Sequence, residues 1–205
     1  MKIKNLILIP VLSVFIFTAC EDTKKKEQEK AQAEQAEMER EAALKADEEQ
    51  RELEGNSIVA KAMEADSLST LSNALKKADI SETLRTDRGP FTVFAPTDAA
   101  FSEVGQEKLD SLMMNENQDE LAGLLEYHVV EDEITSDELS QQIQSNNGEY
   151  TFNTMAGEDI TAMMSGENIV LRDANGNMAT ITQADVDASN GVVHIIDAVI
   201  MKKKS

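Results

Sequence analysis

The stretch Gly89–Phe101, which reads GPFTVFAPTDAAF, constrains the fold of this chain more than any other. A Gly-Pro pair is a turn signal, and the residues from Phe91 to Ala95 are mostly apolar and β-forming, as in a buried strand. Pro96 lacks an N–H group and cannot continue a central strand, while the hydroxyl of Thr97 is suited to cap a helix. The stretch therefore predicts a buried strand that stops at a proline and leads into a capped helix.

The length and charge of the chain exclude several classes of function. Its 205 residues suffice for one ordinary domain plus an additional segment. The formal net charge of −20 argues against nucleic-acid binding, which needs a basic surface to neutralise phosphates. Tryptophan is absent and aromatic residues make up 4% of the chain, so a stacking platform for bases is not expected. We therefore expect no nucleic-acid partner.

The N-terminus resembles a bacterial lipoprotein signal peptide. Lys2 and Lys4 precede an apolar core, Leu6–Phe17, that is too short to span a membrane comfortably. The following Thr18 and Ala19 complete a lipobox-like sequence before Cys20, with Phe17 where leucine is usual. The resemblance implies cleavage after residue 19 and acylation of Cys20, palmitate included, which would anchor the chain to a membrane of the cell envelope. The outer membrane is the favoured membrane, and the sequence does not determine whether the chain lies on its periplasmic or its surface face. The alternatives to a lipoprotein signal are a plain secretory signal and an uncleaved membrane anchor.

A charged spacer, residues 20–55, follows. The run Glu21–Glu54 contains no proline or glycine and consists almost wholly of good helix formers. Its apolar positions are mostly alanine and keep no steady heptad, which argues against a stable coiled coil. The composition leaves two alternatives open, a helical stalk or a disordered tether.

From Ser57 onward, the apolar spacing predicts helices first and strands later. Leucines recur at helical spacing up to Tyr127, whereas from Asn146 short β segments alternate with turns and end in a strand from Gly191 to Met201. This order predicts one α+β domain, residues 56–201, with a β-sandwich-like core and a basic tail, residues 202–205.

Three stretches resemble the signatures of the fasciclin domain family: Gly89–Phe101, Leu124–Val130 (LLEYHVV) and Ala184–Ile200 (ADVDASNGVVHIIDAVI). Their order and spacing fit one complete domain. The resemblance implies a fasciclin-like, wedge-shaped β-sandwich with packed helices and a role in adhesion rather than catalysis. The structural signature positions that it implies are Phe91, Thr92, Val93, Phe94, Ala95, Pro96, Thr97, Asn190, Gly191, His194 and Asp197.

The same resemblance suggests where a partner binds. In animal members of the family, a Tyr-His motif and an Asp-Ile dipeptide have been tied to integrin binding. These motifs map onto Tyr127 and His128, and onto Asp185 with Val186 in place of isoleucine. We carry over the positions and not the integrin, and expect these four residues to form an exposed surface for an unknown protein, matrix or glycan partner. The alternative is an envelope protein that binds a small ligand or a polysaccharide, and a monomer is favoured in either case.

No metal or catalytic site is evident in the sequence. The two histidines, His128 and His194, are not at the spacing of a metal-binding pair, and a regular strand would point His194 and Asp197 to opposite faces. The stretch Asp173–Asn177 has its glycine too early for a calcium loop, and Ala184 stands where the bidentate glutamate is needed. We therefore expect two hydrogen-bonded structural histidines, no metal, no cofactor and no enzyme activity.

Overall fold

The computed structural model describes residues 19–81, 84 and 89–203. The predicted signal peptide, apart from Ala19, and the last two residues of the predicted basic tail lie outside the described residues. The chain divides into two compact units, Met1–Glu49 and Gln50–Ser205.

A single helix, α1 (Ala19–Gly55, 37 residues), contains the predicted spacer. The spacer is therefore helical in the structure. The ammonium of Lys45 lies 3.0 Å from the carboxylate of Glu41, one turn earlier on an exposed face, and such a pair adds a few tenths of a kcal/mol at most. None of the described helices is both long enough and apolar enough to cross a membrane.

Side chains cap the first turns of several short helices of the second unit. The hydroxyls of Ser57, Thr97 and Thr135 each accept a hydrogen bond from the amide three residues further along the chain, as N-caps do. The cap at Thr97 is the one that the sequence predicts. The helices are α2 (Ile58–Glu64), α3 (Ser69–Lys77), α4 (Asp98–Val104), α5 (Gln106–Leu112), α6 (Gln118–Glu126) and α7 (Ser136–Ser145), with 3-10 turns at Asp66–Leu68 and Asn115–Asn117.

Helix α3 receives its cap from another element. The carboxylate of Asp98, at the start of α4, accepts hydrogen bonds from the hydroxyl of Ser69 and from the amide of Thr70, both at 2.7 Å. Partial burial acts to raise the pKa of Asp98, but the hydrogen bonds from Thr70 and Ser69 outweigh it and lower the pKa. The carboxylate thus fixes the start of α3 against the start of α4.

Seven strands form one mixed sheet in the order β2-β1-β7-β6-β5-β4-β3. Strands β1 and β7 are parallel and the other neighbours are antiparallel. The succession of short strands and turns that the sequence predicts after Asn146 is confirmed, and neighbouring strands in it pair antiparallel. The strands are β1 (Phe91–Pro96), β2 (Val129–Val130), β3 (Glu149–Asn153), β4 (Asp159–Ser165), β5 (Asn168–Arg172), β6 (Met178–Ala188) and β7 (Gly191–Ile196).

The last strand is shorter than predicted, because it ends at Ile196 and not at Met201. Beyond this strand, backbone amides donate hydrogen bonds to side chains. The amide of Ile200 donates to the ring of His128 at 3.3 Å, and the amide of Met201 donates to the carboxylate of Asp173 at 2.9 Å. The segment from Ile200 onward is therefore held by side chains, whereas the amide of Asp197 still donates to the carbonyl of Thr180 on β6 at 3.1 Å.

The sheet folds back on itself, so that its two halves enclose a core. Strand β6 pairs with β5 through its first residues and with β7 through its later ones, and the pairing with β7 contains register shifts. Phe94 on β1 stacks on Phe152 on β3 with 5.7 Å between the ring centroids, although four strands separate them in the sheet order. This arrangement confirms the predicted α+β fold with a sandwich-like core.

Strand β1 is buried on both faces. Phe94 points into the core between the two halves of the sheet, whereas Phe91 and Val93 pack in a second core with helical leucines such as Leu71 and Leu121. All six residues of β1 are buried, which accounts for its nearly continuous apolar sequence.

Candidate functional site

The structure separates the four predicted partner-binding residues by their exposure. Tyr127 and His128 are buried, with 0% and 2% of their surface exposed, whereas Asp185 is exposed and Val186 is half-buried. The expectation that all four lie on an exposed surface is therefore wrong for Tyr127 and His128. The reason is their position between α6 and β2, where the chain enters a sheet that is covered on both faces.

The side chain of Tyr127 belongs to the core between the sheet halves. Its hydroxyl donates to the carbonyl of Asp159 at 2.9 Å and accepts from the amide of Ala174 at 3.1 Å. Burial raises the pKa of Tyr127 above its ordinary value, so the phenol stays protonated at neutral pH. Tyr127 therefore ties the end of α6 to β4 and to the turn between β5 and β6.

The ring of His128 lies between two backbone groups that fix its tautomer. Its Nδ1–H donates to the carbonyl of Leu124 at 2.8 Å, and its Nε2 accepts from the amide of Ile200 at 3.3 Å. Both partners demand a neutral ring, because a carbonyl only accepts and an amide N–H only donates. Burial lowers the pKa of His128 from 6.5 to about 4, against the opposing effect of the hydrogen bond to Leu124.

His194 on β7 is held in the same way. Its Nε2–H donates to the carbonyl of Ile134 at 2.8 Å, its Nδ1 accepts from the amide of Asp185 at 3.2 Å, and its ring stacks on Phe94 with 5.5 Å between centroids. Burial lowers the pKa of His194, while the Ile134 carbonyl and the charge of Asp185 act to raise it. The prediction that both histidines are hydrogen-bonded structural residues is confirmed.

The other groups considered for chemistry also have structural partners. Asp197 accepts from the amide of Thr180 at 2.6 Å and makes no hydrogen bond to His194. Asp173 accepts from the amides of Asn175 and Asn177, both at 2.8 Å, which makes its loop a hydrogen-bonded turn. Within residues 19–81, 84 and 89–203, no group of three or more acidic, histidine or cysteine side chains is arranged to hold a metal ion.

Asp185 is fixed by three hydrogen bonds at a bend in β6. Its φ of 55° lies in the left-handed region, which aspartate tolerates better than most residues. Its carboxylate accepts from the amide of Ser136 at 2.8 Å and from the Ser136 hydroxyl, and its own amide donates to His194. The carboxylate of the exposed Asp185 is thus hydrogen-bonded to the first turn of α7.

The next residue, Val186, lines a cleft of about 320 Å³. The cleft, called here the Val186 cleft, lies between α2 with the 3-10 turn that follows it and strands β6 and β7. Its apolar lining includes Leu68, Val193 and Ile195, and Lys61 and Asp66 contribute charged groups. Sequence reasoning missed these neighbours because more than 100 residues separate Lys61 and Leu68 from Val186, and no local pattern signals such a contact.

The signature residues Asn190 and Gly191 lie where β7 meets β1. The side chain of Asn190 accepts from the amide of Ile58 at 2.9 Å and donates to the carbonyl of Leu84 at 2.5 Å. Gly191 has a φ of 144°, and a Cβ on it would lie 1.8 Å from the carbonyl oxygen of Phe91. Only glycine fits at this position, so these signature residues are structural.

The pKa of His128 leads to a prediction about stability. The unfolded chain binds a proton at this residue near pH 6.5 but the folded chain only near pH 4, so protonation in between favours unfolding. The stabilising contribution is complete above pH 6.5 and falls by about 3 kcal/mol as the pH drops through the folded pKa. Denaturant unfolding at several pH values should show a steeper loss with acidification for the native chain than for His128→Gln.

This comparison cancels the contributions of His194 and the carboxylates, which are present in both chains. An NMR titration of the His128 ring should give a midpoint near 4. Equal pH slopes for the two chains, or a ring that titrates near 6.5, would contradict this account of His128.

Comparison with solved structures shows the fold. The chain resembles the structure of a FAS1 domain pair from the insect cell adhesion molecule fasciclin I, with a TM-score of 0.64 and 19% sequence identity. The match covers 72% of this chain and 51% of that chain. The same fold therefore accommodates very different sequences.

Comparison with known sequences shows the family. The chain is 43% identical over 136 residues to protein sll1483 of Synechocystis sp., covering 66% of this chain and 68% of that protein. It is 28% identical over 137 residues to the cell surface glycolipoprotein MPB83 of Mycobacterium bovis, and the match covers 65% of this chain and 55% of that protein. It is 37% identical over 130 residues to transforming growth factor-beta-induced protein ig-h3 of Sus scrofa, covering 60% of this chain but 17% of that protein. The family model of the fasciclin domain matches residues 66–202, and the chain belongs to the fasciclin domain family.

Proposed function

We propose that this chain is an adhesion or interaction module of the cell envelope that binds a protein or matrix partner and is not an enzyme. Two relatives support a role at surfaces: fasciclin I is described as a cell adhesion molecule and MPB83 as a cell surface glycolipoprotein. The observation that carries the proposal is the Val186 cleft, which lies at one of the positions that the family resemblance implies and where half-buried Val186 and Ile195 leave apolar surface accessible.

The backbone beside the cleft is held before any partner arrives. The hydrogen bonds of Asp185 to Ser136 and His194 fix the residue that immediately precedes Val186. A surface that is already ordered loses less conformational entropy on binding, which favours affinity. Since the apolar lining is flanked by Lys61 and Asp66, the cleft suits an apolar side chain of a partner surrounded by polar contacts.

The state of the two histidines favours binding over catalysis. Each ring nitrogen of His128 and His194 is engaged with a backbone group, and burial lowers the pKa of both. A general base needs a free nitrogen within reach of a substrate, which these rings do not offer. Their arrangement supports a structural role.

A partner-binding role for Tyr127 and His128 stays a prediction, and their burial limits it to an indirect one. Both anchor the end of α6, through contacts with Asp159 and Leu124 among others. Substituting either would disturb the core, so neither is suited to a test of binding. Asp185→Ala is equally unsuited to a test of binding, because it removes the hydrogen-bond acceptor of Ser136 at the start of α7.

We also propose that Cys20 carries the lipid anchor and that α1 is a stalk. In this scheme residues 1–19 are the signal peptide, 20–55 the spacer, 56–201 the fasciclin domain and 202–205 a basic tail. A helix of 37 residues is roughly 55 Å long, which would hold a domain clear of a membrane surface. Acyl chains on Cys20 would bind the membrane through buried methylenes, each contributing about 0.8 kcal/mol.

Val186→Lys tests the adhesive surface. A lysine in the cleft places a charge against the apolar lining, so attachment of cells that display the full chain should fall by roughly tenfold or more, as at a binding hot spot. Thr182→Lys is the matched control, because it introduces the same charge at an exposed position of the same strand that does not line the cleft.

Retention of cells on a matrix-coated surface under flow measures the effect, with cells lacking the chain as the baseline. Unchanged retention after loss of the whole chain would contradict the adhesive function. Retention that depends on the chain but is equal for the two lysine variants would contradict the assignment to the Val186 cleft.

Cys20→Ser tests the anchor. Without the thiol there is no site for acylation, so the protein should move from the membrane fraction to the soluble fraction of lysed cells. Metabolic labelling with palmitate should mark the native chain and not the variant. If the serine variant remains in the membrane fraction, acylation at Cys20 is not what holds the chain there.

A further inference from the structure

A second cavity, of about 530 Å³, shares no lining residue with the Val186 cleft. It lies among α5, α6, the turn between β5 and β6, and the segment after β7. The cavity, called here the lysine pocket, falls within the usual volume range of small-ligand sites. Its existence does not depend on the proposed adhesive function.

The lysine pocket combines an apolar lining with positive charge. Leu112, Leu124 and the thioether of Met201 provide the apolar surface. Lys108, Lys202 and Lys203 also line it, against a single carboxylate, that of Glu120. The lining is thus positively charged in a chain whose formal net charge is −20.

The ammonium groups of the pocket have no carboxylate partners in the part of the chain that the structure describes. No ion pair joins Lys108, Lys202 or Lys203 to a described acidic residue. The ammonium of half-buried Lys108 lies 3.0 Å from the sulfur of Met201, a weak acceptor. Since a thioether competes only weakly for an ammonium group, Lys108 is available to hydrogen-bond an anionic ligand at this point.

The segment that carries two of the lysines is held in place. The side chain of Asn175 donates to the carbonyls of Met201 and Lys202 at 2.9 and 3.1 Å, and the amide of Lys203 donates to Glu158 at 3.0 Å. The backbone of the segment is therefore organised in advance, which reduces the entropy lost when a ligand binds.

From this geometry we propose that the lysine pocket binds a monocarboxylate with a linear alkyl chain, the chemistry of a fatty acid. The alkyl chain contacts Leu112, Leu124 and the adaptable side chain of Met201. The carboxylate accepts hydrogen bonds from the ammonium groups of Lys108 and Lys202, and such charge-assisted bonds are the stronger kind. A ligand that has only an alkyl chain leaves the lysines without an anionic partner, and a ligand that has only a carboxylate leaves the apolar residues uncovered.

Calorimetric titration of the full chain with decanoate, below the concentration at which decanoate aggregates, tests the proposal. We expect saturable binding of one molecule, with no comparable binding of acetate or decyltrimethylammonium. Acetate lacks the chain and the ammonium compound has the wrong charge. Equal binding of either control compound, or no saturable binding of decanoate, would overturn the proposal.

Lysine variants locate the site. Lys108→Gln combined with Lys202→Gln should weaken decanoate binding by about tenfold or more, because two charge-assisted contacts are lost. The matched control, Lys76→Gln combined with Lys77→Gln, removes two exposed lysines of α3 and should leave the affinity unchanged. An equal loss in the control pair would overturn the assignment to this pocket, and thermal unfolding of each variant verifies that it is folded.

Discussion

The parallel pairing of β1 with β7 is the constraint on which the rest of the domain depends. Phe91 lies opposite Gly191 and Pro96 opposite Ile196. The first strand in the chain is therefore hydrogen-bonded to the last one. At the first pair the two backbones are so close that no side chain fits on Gly191. The side chain of the adjoining Asn190 binds the amide of Ile58 at the start of α2 and the carbonyl of Leu84, and its own carbonyl accepts from the amide of Phe91 at 3.0 Å.

The pairing of β1 with β7 determines which of the sequence motifs are buried and which are exposed. With β7 on one side and β2 on the other, β1 is a central strand, and the residues that lead into β2 are buried. Tyr127 and His128 therefore serve the core, although they resemble positions tied to partner binding in animal relatives. Recognition is better sought where β6 bends, because Val186 remains accessible there while its neighbour Asp185 is hydrogen-bonded to α7 and β7.

Local sequence predicts the elements of this fold well and their exposure less well. The strand predicted at Phe91–Ala95, the cap at Thr97 and the late run of short strands depend on neighbours in the chain, and all three are present. The strand extends one residue further than predicted, because Pro96 forms its last residue opposite Ile196. The burial of Tyr127 depends on what covers β1 and β2, and the lysine pocket depends on contacts such as that between Lys108 and Met201, 93 residues apart. Such contacts leave no periodic pattern, so they become visible only in the folded chain.

The free energy of unfolding of Gly191→Ala, compared with Gly166→Ala, tests the central role of the pairing most directly. Both glycines have a positive φ, but no atom lies within 4 Å of a Cβ built on Gly166. Alanine at Gly166 should cost about 1–2 kcal/mol through backbone strain alone. Alanine at Gly191 should cost at least about 3 kcal/mol or prevent folding, because β1 and β7 must separate. Equal losses for the two variants would show that the close approach of these strands does not hold the domain together.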